Sequence, residues 1–276
     1  MNEFWKYRFS DSIELVNTFD ELPLWSAMFG LLFFKHFELK QYNRVLDIGS
    51  GTGFPLFELA ERLGSNCKCF GIDLWKNAND RANKKILIYN LDNVEIIEGT
   101  GENLPFEDMS IDLIVSNLGI NNFSNPQKVF NECKRVLNSG SNLVITTNLN
   151  GHWVEFYNVF EETLIELNKT NLISGLRLHQ EHRGSLKSVS NLYSNNGFKL
   201  IRIIEDIVEM KFLNGSAFLN HHFIKLGWLG SWLELIPQKD WEMVFTSLEN
   251  NLNSFADKNG GLTLTVPMAY IEGQKL

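Results

Sequence analysis

The sequence predicts an α/β fold in which a mostly parallel, doubly wound sheet carries helices on both faces. Short apolar segments alternate with helical patterns between residues 43 and 150, as expected for consecutive strand–helix–strand units. The first apolar segment, Arg44–Ile48, suits a strand that is buried on both faces, and a glycine-rich turn and a helical pattern follow it directly. Right-handed crossovers then determine most of the predicted topology.

The predicted elements follow the apolar runs along the chain. Strands are predicted at 44–48, 69–73, 94–98, 111–116, 142–147, 198–204 and 262–266. Helices are predicted at 77–89, 125–137, 154–167 and 185–196, and residues 1–42 are helical and rich in aromatic side chains. A long insertion, roughly 214–259, separates the last two predicted strands.

The glycine-rich turn, residues 49–53, carries the first functional prediction. Gly49, Gly51 and Gly53 stand at alternate positions, where glycine lets the backbone turn sharply and lets a ligand approach closely. The helix that follows offers free N–H groups and a positive dipole end, and Pro55 is tolerated in its first turn. The turn therefore predicts a nucleotide-like ligand beyond the end of a central strand, and a tight turn without a ligand is the alternative.

The spacing of the turn excludes two common nucleotide sites. A dinucleotide fingerprint requires a third glycine three positions after the second, and Phe54 occupies that position here. The Lys and Ser/Thr pair of a phosphate-binding loop is also missing from this segment. A nicotinamide dinucleotide is therefore disfavoured as the ligand.

Asp73 ends the second predicted strand and is a candidate ligand for ribose. A carboxylate at this position can accept hydrogen bonds from both ribose hydroxyl groups of a bound nucleoside. Leu74 and Trp75 follow it and are predicted to flank the base. The alternative is an aspartate that only caps the next helix.

Composition and charge limit the remaining function classes. The chain has 276 residues, of which 44% are hydrophobic, and its formal net charge is −8. No stripe of Lys and Arg is visible, which disfavours a nucleic-acid partner. The three cysteines, Cys67, Cys69 and Cys133, form no even framework and predict a reducing compartment with buried thiols.

Neither a membrane segment nor a metal site is predicted. The longest apolar run, 24–34, is too short to span a bilayer, and the first residues lack the pattern of a signal peptide, so we expect a cytoplasmic protein without membrane insertion. His179 and His182 are three residues apart, but no third metal ligand accompanies them. Arg183 suits either a substrate anion or a surface carboxylate.

Four segments in order resemble the motifs of class I methyltransferases that use S-adenosylmethionine. Residues 47–53 resemble the first motif, and residues 99–106 resemble the segment that contacts adenine. Residues 116–123 and 130–141 resemble the loop and the helix that come next in that family. The resemblance covers residues 44–148 and is to the small-molecule type, which includes quinone and arsenite methyltransferases. It implies a seven-stranded, Rossmann-like sheet with an antiparallel last strand.

The resemblance also implies the cofactor, S-adenosylmethionine, and a set of residues that bind it. These are Asp47, Gly49, Ser50, Gly51, Gly53, Asp73, Leu74, Trp75, Thr100, Gly101, Glu102, Asn117 and Leu118. Thr100 stands where the family has an aspartate that accepts from the adenine amino group, so this hydrogen bond should be weaker here. Asn121 and Asn122 stand where many relatives carry histidines, so the catalytic residue stays unknown and a side-chain base is not expected.

The insertion is predicted to cap the methyl-donating end of the cofactor. Aromatic and imidazole groups are concentrated in residues 209–258, and the alternative is a satellite core beneath a long connection. The substrate would lie in an apolar pocket lined by residues from both halves of the chain. The predicted lining residues are Trp25, Asn121, Asn122, His221, Phe223 and Trp228.

The predicted function is methyl transfer from S-adenosylmethionine to a small-molecule acceptor by in-line displacement. We expect one domain over residues 1–276, with a helical segment (1–42), a cofactor-binding core (43–150) and a second half (151–276). One alternative is a binding protein that keeps the fold without turnover, and another is a nicotinamide-dependent oxidoreductase. The sequence specifies neither the acceptor nor the oligomeric state.

Overall fold

The structure is a computed structural model that describes residues 3–9, 12–19, 23–181 and 183–276. The chain forms two compact units. The sheet unit comprises Asp11–Asn148, Gly184–Asp206 and Met268–Leu276. The helical unit comprises Met1–Ser10, Leu149–Arg183 and Ile207–Pro267.

Seven strands form one sheet in the order β3-β2-β1-β4-β5-β7-β6. Their bounds are β1 Arg44–Ile48, β2 Lys68–Asp73, β3 Val94–Glu98, β4 Ile111–Asn117, β5 Leu137–Asn148, β6 Phe198–Phe212 and β7 Leu262–Lys275. Strands β1 to β5 pair in parallel, and β7 runs antiparallel to β5. The predicted seven-stranded fold with an antiparallel last strand is therefore confirmed.

Helices connect the strands and form the insertion. The first eight are α1 Ile13–Phe19, α2 Pro23–His36, α3 Leu56–Leu63, α4 Lys76–Tyr89, α5 Pro126–Val136, α6 Val154–Glu166, α7 Ile173–Glu181 and α8 Leu186–Asn195. Between β6 and β7 lie α9 Gly215–Asn220, α10 His222–Ile224, a π-helical turn Lys225–Leu229, α11 Gly230–Leu235 and α12 Trp241–Asn259. The predicted helical insertion is present, and none of the described helices is long and apolar enough to cross a bilayer.

The centre of the sheet explains where a ligand can bind. Val45, Leu46 and Ile48 of β1 are buried, because β2 and β4 flank the strand and helices cover both faces. Strand β2 pairs with β1 until Ile72 lies opposite Ile48, and Asp73 follows at the end of the strand. The carboxyl ends of β1 and β2 therefore meet at one edge of the sheet, which is where open α/β sheets bind ligands.

Three strands are longer than the sequence predicts, and the last of them, β7, continues beyond the predicted range 262–266 to Lys275. Strand β5 begins at Leu137, directly after α5 and before its predicted start at residue 142, and passes through Gly140 at φ +75°. Strand β6 continues to Phe212 although Glu205 and Asp206 interrupt its apolar pattern. It is the edge strand of the sheet, where charged side chains remain in water, so these residues do not end it.

The helical unit has its own aromatic core. Trp153, Phe156, Phe218 and Trp232 are buried, with the rings of Phe156 and Trp232 4.5 Å apart between their centroids. The Phe218 ring lies 5.3 Å from Trp153 in an edge-to-face arrangement. Such pairs add to the free energy of burying these large side chains, so much of the insertion's aromatic content is structural.

Candidate cofactor site

A cavity of about 340 Å³ opens in the sheet unit at the carboxyl ends of β1, β2 and β4. Its size lies in the range of small-molecule sites. Predicted cofactor residues that line it are Gly49, Asp73, Leu74, Trp75, Thr100, Gly101, Glu102, Asn117 and Leu118. Four residues predicted with them, Asp47, Ser50, Gly51 and Gly53, do not line this cavity.

The glycine-rich turn has the backbone conformation that its sequence predicts. Gly49, Gly51 and Gly53 have φ values of +80°, +51° and +108°, which side chains disfavour. A Cβ at Gly53 would lie 2.2 Å from the Phe57 ring, whereas a Cβ at Gly51 would meet no atom within 4 Å. Gly53 is therefore required by packing, and Gly51 leaves open space beside the turn.

The residues after the turn differ in detail from the prediction. Helix α3 starts at Leu56, so Pro55 is its N-cap residue rather than a member of its first turn. Phe54, which fills the position of the third dinucleotide glycine, packs against Gly30 of α2, where an added Cβ would lie 2.2 Å from the ring. The Phe54 ring thus packs the glycine-rich turn against α2.

Asp73 connects the turn to the start of α4. Its Oδ2 accepts from the Gly51 N–H at 2.9 Å, and its Oδ1 accepts from the Trp75 N–H at 2.8 Å. The second of these bonds is the capping role that was the alternative for this residue. Each carboxylate oxygen has a further lone pair, so Asp73 can still accept two hydroxyl groups in the cavity that it lines.

Asp47 and Ser50 are buried polar groups beneath the turn. Asp47 is fully buried and Ser50 is 1% exposed. Neither the Asp47 carboxyl oxygens nor the Ser50 hydroxyl makes a hydrogen bond of normal geometry with any described residue. Burial and then the Asp73 charge raise the pKa of Asp47 to about 8, although the Leu56 N–H opposes this shift. Ionising a carboxyl at this depth is costly, so burial favours the protonated form of Asp47 in the ligand-free protein.

The predicted adenine segment lines the cavity through Thr100, Gly101 and Glu102. The Thr100 hydroxyl accepts from the Glu102 N–H at 3.2 Å, so part of its acceptor capacity is used locally. The Glu102 carboxylate accepts from the Asn125 N–H at 2.9 Å, just before α5. A Cβ at Gly101 would lie 2.9 Å from Ile48, which explains a glycine at this point.

Asn117 and Leu118 form the next wall of the cavity. Asn117 donates to the Ser26 carbonyl of α2 at 3.2 Å and accepts from the Thr146 hydroxyl at 2.7 Å. Leu118 adopts a left-handed conformation with φ +68°, which is uncommon for a residue with a branched side chain. Strain of this kind is concentrated at functional sites, so the loop conformation is consistent with a ligand-binding role.

The predicted substrate residues of the sheet unit have different surroundings. Asn122 lines the cavity. Asn121 instead donates to the Asn148 Oδ1 at 2.8 Å and accepts from the Thr147 hydroxyl at 3.0 Å, so it connects the loop after β4 to β5. Trp25 lies on α2 and its ring is 5.1 Å from Phe29.

The other predicted substrate residues belong to the helical unit. The Phe223 ring lies 4.8 Å from Trp228, and Trp228 lies 4.6 Å from Trp153 in the aromatic core. His221 lies 5.7 Å from Phe212, and burial, His222 and Lys225 lower its pKa. The predicted cap over the cofactor stays a prediction.

Several lining residues were missed by the sequence reasoning. They are Ile48, Ile72, Gly99, Gly119, Phe123, Ser124 and Val129. Ile48, Ile72 and Gly99 lie at or beside the ends of predicted strands, so those strand ends could have identified them. Phe123 and Ser124 follow the 3₁₀ turn Gly119–Asn122, for which no sequence signal was available.

The described residues contain no cluster of three His, Cys, Asp or Glu side chains suited to a metal ion. His182, weighed as a metal ligand with His179, lies outside the described residues. Cys67, Cys69 and Cys133 are free and buried. The sequence prediction of a site without a metal therefore stays a prediction.

Known methyltransferases are similar to part of this chain. An arsenite methyltransferase from Halobacterium salinarum is 32% identical over 102 residues, 37% of this chain and 26% of that protein. A demethylmenaquinone methyltransferase from Thermotoga maritima is 36% identical over 103 residues, 37% of this chain and 42% of that protein. The chain thus covers less than half the length of either relative.

A solved structure supports the fold over a longer range. The YcgJ protein from Bacillus subtilis is 22% identical, with a TM-score of 0.59 over 90% of this chain and 98% of that chain. The family model described as a methyltransferase domain matches residues 39–200, which include the cavity and its flanking strands. The chain therefore belongs to the methyltransferase domain family, as the resemblance of its motifs predicted.

Proposed function

We propose that this protein transfers the methyl group of S-adenosylmethionine to a small-molecule acceptor. One observation carries the proposal: Gly49 of the glycine-rich turn, Asp73 and the Thr100–Glu102 segment line one cavity in a methyltransferase-family sheet. A nicotinamide dinucleotide is a poorer candidate, because Phe54 stands at the position where a dinucleotide site requires glycine. Its ring packs on Gly30 of α2.

The residues that are present fit the cofactor chemically. Asp73 retains lone pairs for two ribose hydroxyl groups after it accepts the N–H groups of Gly51 and Trp75. Thr100 and the backbone at Gly101 would hold the adenine base.

The cofactor supplies an activated methyl group on a sulfonium, so the main task of the protein is to position the reacting groups. The residues of the site hold the nucleoside and amino-acid ends and thereby fix the direction from which an acceptor atom approaches. The Asn121 hydrogen bonds to Asn148 and Thr147 brace the loop after β4. Asn122, which lines the cavity, can orient a polar group of the acceptor without removing its proton.

Two observations support a small-molecule acceptor. The relatives that match this chain are named for arsenite and for demethylmenaquinone, neither of which is a macromolecule. The formal net charge of −8 disfavours a nucleic-acid substrate.

A radiolabel assay tests the proposed activity. The protein is incubated with methyl-labelled S-adenosylmethionine and a metabolite extract, and small molecules are separated from protein and nucleic acid before counting. We expect label in the small-molecule fraction with wild type, less with Asp73→Asn, and wild-type levels with Asp80→Asn, which alters only an exposed ion pair with Lys76. Label confined to protein or nucleic acid would overturn the small-molecule acceptor.

A further inference from the structure

Strand β6 is unusually long for a strand at the edge of a sheet. It has 15 residues, from Phe198 to Phe212, and contains neither proline nor glycine, whereas strands of globular proteins usually have about 3–10 residues. In the described part of the chain, β6 ends the sheet and has β7 as its one strand neighbour. Proteins usually protect such an edge by keeping the strand short or by placing prolines and bulges in it. The length of β6 therefore indicates an edge that a further strand can extend.

One face of β6 is exposed and partly apolar. Side chains alternate along a strand, and the odd-numbered residues of β6, from 199 to 211, are all exposed. Three of them are isoleucines, with 45% of Ile201, 39% of Ile203 and 66% of Ile207 exposed. The even-numbered apolar residues of the strand are less exposed. A strand paired along this edge would cover apolar surface that a single chain leaves in water.

The charged residues of β6 are arranged with opposite signs about Ile204. Lys199 lies five residues before Ile204 and Glu209 five residues after it. Arg202 lies two residues before Ile204 and Asp206 two residues after it. In an antiparallel pair of two β6 strands centred on Ile204, each of these cations therefore stands directly opposite an anion. Opposite charges at facing positions stabilise such a pair, so β6 is complementary to a second copy of itself.

The apolar residues of β6 follow the same symmetry. Three pairs of apolar residues face each other in the register centred on Ile204. They are Ile201 with Ile207, Leu200 with Val208, and Phe198 with Met210. Ile204 faces its own copy, and Ile203 with Glu205 is the one pair of unlike residues between 198 and 210. Apolar and charged side chains thus both match in one register.

Neighbouring registers lack this match. A shift by two residues in one direction places Lys199 opposite Lys211 and Glu205 opposite its own copy, and facing like charges destabilise a strand pair. The same shift in the other direction places Arg202 opposite Ile204. A shift by one residue in either direction places Lys199 opposite an apolar residue. The charges therefore select the register centred on Ile204.

The contacts that these side chains make within one chain are compatible with the pairing. The Arg202 Nη1 donates to the His36 carbonyl, and the Arg202 Nε lies 3.8 Å from a carboxylate oxygen of Glu272. A guanidinium carries five N–H donors, so these contacts use only part of its capacity. Glu209 pairs with Lys211 at 2.9 Å, and both side chains are exposed. An exposed ion pair contributes little and can be exchanged for another.

We propose that β6 is a dimer interface, in which two copies of this chain pair their β6 strands antiparallel about a two-fold axis. The same strand supplies both halves of the interface, as a two-fold axis requires. Backbone N–H and C=O groups along the edge provide the hydrogen bonds, and the facing charges set the register. The interface lies outside the proposed cofactor site and does not depend on the proposed methyl transfer.

Sedimentation velocity of the full-length protein over a concentration series tests the interface. We expect wild type to form dimers that dissociate on dilution. Lys199→Glu and Glu209→Lys each place like charges opposite one another twice in a dimer, so each variant alone should dimerise about tenfold more weakly. Circular dichroism checks that both variants are folded.

An equimolar mixture of these two variants tests the register. In the mixed dimer the new carboxylate of one copy faces the new ammonium group of the other, and the unchanged Glu209 faces the unchanged Lys199. Dimerisation in the mixture should therefore return to the wild-type level. A parallel pairing, or a dimer formed through another surface, would give no such recovery.

The matched control is Lys187→Glu on α8, which is exposed and changes the net charge as Lys199→Glu does. It should dimerise as wild type does. A wild-type protein that is monomeric at every concentration would overturn the proposal. So would equal dimerisation of wild type and Lys199→Glu, an equal loss with Lys187→Glu, or a mixture that dimerises as weakly as either variant alone.

Discussion

The cofactor edge of the sheet unit and the aromatic core of the helical unit were predicted from sequence to very different degrees. The edge is built from residues at strand ends, such as Gly49–Gly53 and Asp73, whose spacing reflects the backbone that they form. The aromatic core joins residues from α6, α9, α11 and the segment before α6, which no local pattern relates. A site formed by one turn is visible in a sequence, whereas a cluster formed by tertiary packing is not.

The largest effect should come from the aromatic core of the helical unit. Trp232 is fully buried, and its ring contacts Phe156 and Phe218. Trp232→Ala should lower the free energy of unfolding by about 3–5 kcal/mol, because it removes a large ring and leaves a cavity. Urea denaturation monitored by circular dichroism measures this loss.

The same variant sharpens the comparison between the two regions. If the aromatic core is structural, the folded fraction of Trp232→Ala should bind S-adenosylhomocysteine with wild-type affinity, measured well below the unfolding midpoint. Trp232→Phe, which keeps most of the ring area, is the milder control. A large loss of cofactor affinity in the folded alanine variant would show that the helical unit helps to bind the cofactor.

The next effect concerns Asp73. Asp73→Asn keeps the shape of the side chain but removes its charge, so cofactor affinity should fall by roughly 1.5–3 kcal/mol, the scale of hydrogen bonds to a charged group. Calorimetry with S-adenosylhomocysteine measures the change, and Asp80→Asn is the matched control. Unchanged affinity would mean that Asp73 only braces the turn through Gly51 and Trp75.

Asp47 should make the stability of the ligand-free protein depend on pH. Its folded-state pKa of about 8 lies above the unfolded value, so the folded state holds an extra proton between about pH 4 and pH 8. Stability should therefore fall as pH rises through this window, by at most about 1.4 kcal/mol per pH unit. Thermal unfolding of wild type and Asp47→Asn between pH 5 and 8 checks it, because the variant should lack this dependence.

Parallel pH profiles for wild type and Asp47→Asn would contradict the burial of a protonated carboxyl beneath the turn.

The smallest predicted effect is at Thr100. Thr100→Val removes the hydroxyl and should weaken cofactor binding by about 0.5–1.5 kcal/mol, whereas Thr100→Asp should preserve or improve it. Equal affinities for the three proteins, measured by calorimetry, would indicate that the backbone alone contacts adenine.

The sequence predicted the strands β1 to β5 well, because each of them contains a local apolar run. The alternation of strands and helices and the helical insertion follow from the sequence pattern, whereas the count of seven strands and the antiparallel last strand were implied by the resemblance to methyltransferases. The length of β6 was not predicted, because Glu205 and Asp206 interrupt its apolar pattern on a solvent-exposed edge of the sheet. An edge strand is held by backbone hydrogen bonds, so its side chains carry little information about where it ends.

The site was predicted only in part, for a related reason. Asn121 and Asn122 are adjacent and chemically identical, yet one braces β5 and the other lines the cavity. Pro55 precedes α3 rather than entering it, and Phe54 packs on Gly30 of α2. These differences arise from packing between elements distant in sequence, which a motif does not encode.

Titration calorimetry of the wild-type protein tests the central claim that the edge of the sheet unit binds S-adenosylmethionine. S-adenosylmethionine, S-adenosylhomocysteine and a nicotinamide dinucleotide are titrated separately under the same conditions. The account predicts saturable binding at one site for the first two ligands and no heat for the third. Clear binding of the nicotinamide dinucleotide, with no heat from either form of the cofactor, would contradict it.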